Sequence, residues 1–239
     1  MSKHIHLKSR LLAMVVIEVF LTAFDIKETN MGSASKIEMN ATQGESTSDY
    51  ITLAASFIQK KEGSLIIHAK ISNQGGHAIY LFNRLWTLDS SSKLIRDTQS
   101  VYRFIDDESL HIFFGIAPLP NFKTVFYQNI PYVTLVKSKS AVEFQVSIPI
   151  PVKEYNVYFA EEADSNFECL PLSAVDLMVQ YLEADPSIKT QASLVDAEAL
   201  EILTPINTDM VKTLRSPKMV FPVDVLRRTD DFSRPASPG

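Results

Sequence analysis

Few residues of this 239-residue chain combine a reactive side chain with a useful spacing. The five histidines are His4, His6, His68, His77 and His111. None pairs with another at a separation of four, and no His-Glu-x-x-His run exists. The helix-borne zinc arrangement, which needs two imidazoles on one face, is therefore absent. His4 and His6 share one face of an extended segment but lie in the N-terminal stretch. A metal set of His68, His77 and nearby acids is the one left open, although His68 reads as a solvent-facing strand position and His77 as a loop residue. Cys169, in Phe-Glu-Cys-Leu-Pro, is the single cysteine. A thiolate nucleophile needs a base and a lowered pKa. No histidine is near it in sequence, and a buried structural thiol is the preferred reading. Gly-x-Ser-x-Gly, the Walker-type loop and Gly-x-Gly-x-x-Gly are all missing, and with seven glycines a phosphate cradle is not expected.

Two acidic groups, Asp106-Asp107-Glu108 and Glu161-Glu162-Asp164, carry oxygens of the kind calcium takes. They read first as solvated loops. Trp86, Tyr102 and Tyr127 could build a flat platform for a sugar or peptide if exposed, but their aliphatic neighbours point to core. Arg84, Arg103, Arg227 and Arg228 are too scattered to define an anion site. No catalytic, cofactor-binding or metal residue is assigned.

The elements that must hold these residues come from an ordinary globular composition, 46% apolar and 21% charged. A chain of this length removes roughly 70–75% of its unfolded surface from water and needs no disulfide staples. Acidic residues outnumber basic ones, 28 to 23, which disfavours nucleic acid as a partner. Residues 1–30 begin with Lys3, Lys8 and Arg10, followed by an apolar run from Leu11 to Phe24. This has the order of an export signal. As a helix the run reaches only ~21 Å, short of a ~30 Å bilayer core. Glu18 interrupts it, and no small-x-small cleavage site follows at once. Three readings stand: an export signal, which places the protein outside the cytoplasm and is put first; a retained amphipathic helix, through which alone a membrane would be touched; and a true start at Met31. Residues 31–49 have linker composition, and Asn40-Ala-Thr42 is a formal glycosylation sequon.

From residue 50 the period becomes two. Ile51, Leu53, Ala55 and Phe57 alternate, then Leu65, Ile67, Ala69 and Ile71 after the turn at Lys60–Gly63. Asn73-Gln-Gly-Gly76 marks a reversal, and Ala78–Trp86 is apolar on both parities, as in a strand covered on both faces. Val142, Phe144, Val146 and Ile148 form the cleanest alternation, closed by Pro149 and Pro151. Val175, Leu177, Val179 and Tyr181 predict a further strand, and Met219–Leu226 a last one interrupted by Pro222. Leu194–Leu203 mixes helix and strand formers and is assigned a short helix. Fifteen of the 23 aromatics fall between Tyr80 and Phe159, which places the core there.

Short strands separated by turns predict a mainly β, antiparallel sandwich over 50–226, with a flexible tail at 227–239. The segment Leu65–Trp86, with its strand ending in Asn-x-Gly, and Val136–Pro151, a Lys/Ser turn leading into strict alternation, resemble the early hairpin and late strand of bacterial immunoglobulin-like domains. The resemblance implies an immunoglobulin-like sandwich and a role in adhesion, inhibition or scaffolding. The expected function is a non-catalytic module that binds another protein, or serves an envelope assembly, through an exposed sheet edge or aromatic patch. The alternatives are a hydrolase with a loop-built site, tested at His68, His111 or Cys169, and a carrier of a small ligand between the sheets.

Overall fold

The computed structural model describes residues 41–48, 50–60, 63–88, 91, 93–96, 101–106, 108–119, 130–158, 166–196 and 198–229. The N-terminal helix, the signal-like run at 11–24, His4, His6, the sequon's Asn40, Asp107, Tyr127, the acids at 161–164 and the tail beyond 229 lie outside these residues.

The described chain is mainly β. Its strands are β1 (Ala41–Ser48), β2 (Ile51–Lys60), β3 (Ser64–Asn73), β4 (Ile79–Arg84), β5 (Trp86–Leu88), β6 (Leu94–Arg96), β7 (Tyr102–Ile105) and β8 (Ser109–Phe114). They continue with β9 (Tyr132–Val136), β10 (Ser140–Pro149), β11 (Val152–Lys153), β12 (Phe167–Glu183), β13 (Thr190–Ala192), β14 (Leu200–Ile202), β15 (Lys212–Arg215) and β16 (Met219–Arg228). One sheet runs β1-β2-β3-β10. Its two central registers are unbroken, from Ile51↔Asn73 to Lys60↔Ser64 and from Ser140↔Asn73 to Pro149↔Ser64. The reversal between β2 and β3 ends at Gly63, whose φ of 78° costs a glycine nothing.

The larger sheet is organised by β12. One edge of β12 pairs with β16 and then β15; the other pairs with β8 and then β4. β4 continues to β9, and β9 to β14 and β13. The two sheets share one core. Ile51, Leu53, Phe57, Ile67 and Ile71 of the small sheet meet Ile112, Val175, Leu177, Phe221 and Val225 of the large one. Phe57 lies 6.2 Å from Phe221 and Phe114 lies 4.9 Å edge-on to Phe144, ring contacts that cross between the layers. Each such aliphatic or aromatic side chain contributes about 1.5–3 kcal/mol when fully buried.

Several expectations are corrected. The core is not confined to the aromatic middle, since it runs from Ile51 to Val225. Ala41–Ser48, expected within the linker at 31–49, is strand β1, which pairs antiparallel with β2 from Ala41↔Ile58 to Ser48↔Ile51. The sheets are not wholly antiparallel: β8 pairs with β12 in parallel, as does β11 with β16. The long excursion between β8 and β12, which visits the other sheet as β10, permits this direction. The described residues of the predicted helix at 194–203 are not helical; they form bends, a turn and strand β14. Ser193 Oγ accepts from the amides of Val195 and Asp196, and the Asp196 carboxylate accepts from the Glu198 amide. Such local bonds compete with a helical ladder, and Leu200–Ile202 pairs with β13 instead. Arg227 and Arg228, expected to belong to the tail, are the last residues of β16.

Pro222 does not interrupt β16 but sits in a bulge. Val220, Phe221 and Pro222 oppose only Ser173 and Ala174 between the pairs Leu172↔Val223 and Val175↔Met219. A bulge is where a sheet tolerates proline. It also switches which β12 residues face the shared core, from Leu170 and Leu172 before it to Val175, Leu177 and Val179 after it. Asp176 is thereby turned away from that core.

Candidate functional site

Among the described residues a buried polar grouping lies on the side of β8 and β12 that faces away from the shared core. On β8, Leu110, Ile112 and Phe114 point into the core, so Ser109, His111 and Phe113 point out. Phe104 of β7 lies opposite His111 on one side, and Asp176 of β12 on the other. Tyr102, Phe104, Phe113, Met178 and Tyr158 form a second apolar cluster that covers this face. His111 is 2% exposed and Asp176 is fully buried.

Both ring nitrogens of His111 are engaged. Nδ1 is 2.8 Å from Asp176 Oδ1, and Nε2 is 2.7 Å from Asp106 Oδ2. Arg215 donates to Asp176 Oδ2 from Nη2 at 2.8 Å and from Nε at 3.1 Å. Asp106, in the turn between β7 and β8, also accepts from the amides of Glu108 and Ser109 through Oδ1. Lys218 Nζ stands 3.8 Å from Asp106 Oδ2 at the rim. Burial pushes the Asp106 carboxyl up, but the Glu108 amide, the His111 ring and the Ser109 amide outweigh it and hold it at about 2. Burial works against the charged form of His111, but its bonds to Asp176 and Asp106 outweigh this and raise its pKa above the ordinary value.

Each ring nitrogen faces a carboxylate oxygen, and these two contacts favour the protonated ring and tie both nitrogens into the cluster. The group therefore acts as an electrostatic joint of β8, β12, β15 and the β7–β8 turn. Asp106 is not the freely solvated loop acid that its sequence suggested. The joint as a whole was not anticipated. Its signals in the sequence are one histidine and one aspartate, each embedded in an apolar run, Leu-His-Ile-Phe-Phe and Ala-Val-Asp-Leu-Met-Val.

The other candidates stay apart. His68 is exposed on the outer face of β3, opposite Ser56 and Gln145, and His77 is exposed in the turn before β4. Among the described residues no three His, Cys, Asp or Glu side chains are placed to hold a metal ion. Cys169 is exposed, not buried: it lies on the outward parity of β12 opposite Leu226, while Leu170 packs against the core. Tyr102 is buried and stacks on Tyr155 at 6.2 Å, whereas Trp86 is half-buried with its indole donating to the Ile130 carbonyl. The two therefore do not form a platform. Arg84 binds Thr134, Asp196 and Glu198; Arg103 lies over Tyr155, Arg227 meets Glu168, and Arg228 lies over Phe167.

A different kind of site lies at the rim of the small sheet. Among the described residues β10 pairs as a strand only with β3. Gln74 donates to the Tyr50 carbonyl and Ile150 to the Gly63 carbonyl. By the alternation of an antiparallel ladder, the even residues of β10 bond to β3. The amides and carbonyls of Ala141, Glu143, Gln145 and Ser147 therefore face the open side. Their side chains are exposed. Val142 and Phe144 point into the core yet stay half-buried, as expected where no strand lies beyond them. Natural edges are usually blunted by lysine, proline or a bulge. β10 carries no lysine and no register shift, and its one proline, Pro149, stands at the end.

In comparison with known proteins, no family model matches the chain, and no curated protein or solved structure matches it.

Proposed function

We propose that the chain is a non-catalytic protein-binding module whose recognition element is the open edge of β10. A partner contributes an extended segment that adds as the next strand of the small sheet. Main-chain hydrogen bonds at Ala141, Glu143, Gln145 and Ser147 supply attachment, and side-chain alternation supplies selectivity. The observation that carries this reading is the ten-residue, bulge-free β10 with one strand neighbour. The immunoglobulin-like assignment is part of the same reading. Its support is the passage from β9 in one sheet to β10 in the other through the turn at Lys137–Lys139; the parallel β8–β12 pair is a departure from that family's pattern.

The test is a photoreactive residue placed at Gln145, with Asp224, exposed on β16, as the control position. In the native host, crosslinks to a protein from position 145 and none from 224 support the reading. Crosslinks absent from 145, or equal at both positions, overturn it.

A further inference from the structure

The edge of β10 is complementary to itself. Pairing a strand antiparallel with its own copy about a residue on the twofold axis sets odd residues against odd and even against even. Both the hydrogen-bonding direction and the side-chain face then match across the join. Four such registers overlap along most of the strand. Centred on Glu143, two carboxylates meet directly, which is unfavourable. Centred on Val146, Glu143 faces Pro149 and pairs at the Ser140 end are lost. Centred on Gln145, Pro149 falls opposite Ala141 and offers its carbonyl no donor. Centred on Phe144, Glu143 faces Gln145 of the other copy, Ala141 faces Ser147, and Pro149 lies beyond the join. On the core side Val142 then faces Val146, and Phe144 faces Phe144. The half-exposed edges of Val142 and Phe144 are covered by apolar groups of the same kind.

We propose that the partner at this edge is a second copy of this chain, joined β10 to β10 with Phe144 on the twofold axis, which merges the two small sheets into one. This rests on the reading of β10 as the recognition edge. Each copy donates the amides of Ala141, Glu143, Gln145 and Ser147 and accepts at the carbonyls of the same residues. The join is isologous and closes on itself, because each copy has one β10.

Sedimentation of the full chain over a range of concentrations tests it. The expected result is a reversible shift from one 26.8 kDa chain to two. Gln145→Pro removes an amide that faces the open side and leaves the ladder to β3 intact, so it weakens the dimer roughly thirty-fold or more, with two symmetric positions affected. Two substitutions that leave the backbone unchanged read the register. Gln145→Lys sets a lysine opposite Glu143 of the other copy and tightens the dimer; Gln145→Glu sets a carboxylate there and loosens it. A chain that stays monomeric, a dimer indifferent to Gln145→Pro, or a dimer loosened by Gln145→Lys overturns the proposal. A monomer that still crosslinks to another protein from position 145 overturns self-pairing alone and leaves the edge reading standing.

Discussion

The His111 joint and the β10 edge satisfy polar groups in opposite ways. At the joint every charged group is answered inside the chain: Asp176 by His111 and Arg215, Asp106 by His111 and two amides. At the edge, alternate backbone groups of β10 meet no strand among the described residues and are left to water or to another strand. The first arrangement fixes four elements together. The second costs the isolated chain little, because water serves those groups, and it gives an extended segment a template. A buried ionic cluster thus marks a place where the fold is held, and a flat, unguarded edge marks a place where something else can bind.

Breaking the joint gives the largest effect. Asp176→Ala leaves His111 and Arg215 without their shared carboxylate, and chemical denaturation should register a loss of about 3 kcal/mol. A loss under about 0.5 kcal/mol would mean the cluster holds nothing. Proton linkage comes next. The folded pKa of His111 is raised, so as pH rises past the ordinary value the native state holds a proton that the unfolded chain has lost. Its contribution is full below the ordinary value of ~6.5 and is lost as pH rises through the folded value. Asp106 works in the other direction: its pKa of about 2 gives stability that is present above ~3.9 and lost as pH falls toward 2. Denaturation midpoints across pH should therefore form a plateau with two falling sides, and His111→Gln should remove the part of the alkaline fall that begins just above ~6.5, leaving the fall at higher pH that the raised Tyr102 and Lys212 contribute. At the edge the same probe should see almost nothing. Glu143 is 70% exposed in its pair with Lys70, so Glu143→Gln should shift stability by less than about 0.5 kcal/mol. A larger loss would put the edge among the parts that hold the fold.

The same contrast explains what could be read from the sequence. β2, β3, β10 and the second half of β12 were legible because one face of each is apolar and alternates, as in Ile51-Leu53-Ala55-Phe57. β1 was not. Ala-Thr-Gln-Gly-Glu-Ser-Thr-Ser has no apolar face, and what makes it a strand is its ladder to β2. Gly44 within it also lies so close to Met219 that a Cβ there would stand 2.9 Å from the sulfur, a contact no propensity records. The joint was hidden for a similar reason. Bringing His111 opposite Asp176 takes a parallel pairing across 65 residues and a bulge at Pro222 that turns Asp176 outward. An exposed sheet edge was one of two binding surfaces expected, beside an aromatic patch, but the alternation of Val142, Phe144, Val146 and Ile148 does not say which neighbours β10 has.

Residue-resolved amide hydrogen exchange, on the full chain at a concentration where it is a single molecule, tests the open edge most directly. Alternation along β10 is the expected result: slow exchange at Val142, Phe144, Val146 and Ile148, which bond to β3, and fast exchange at Ala141, Glu143, Gln145 and Ser147. Uniform protection of all eight amides would show that the isolated chain already covers this edge, and would contradict the account.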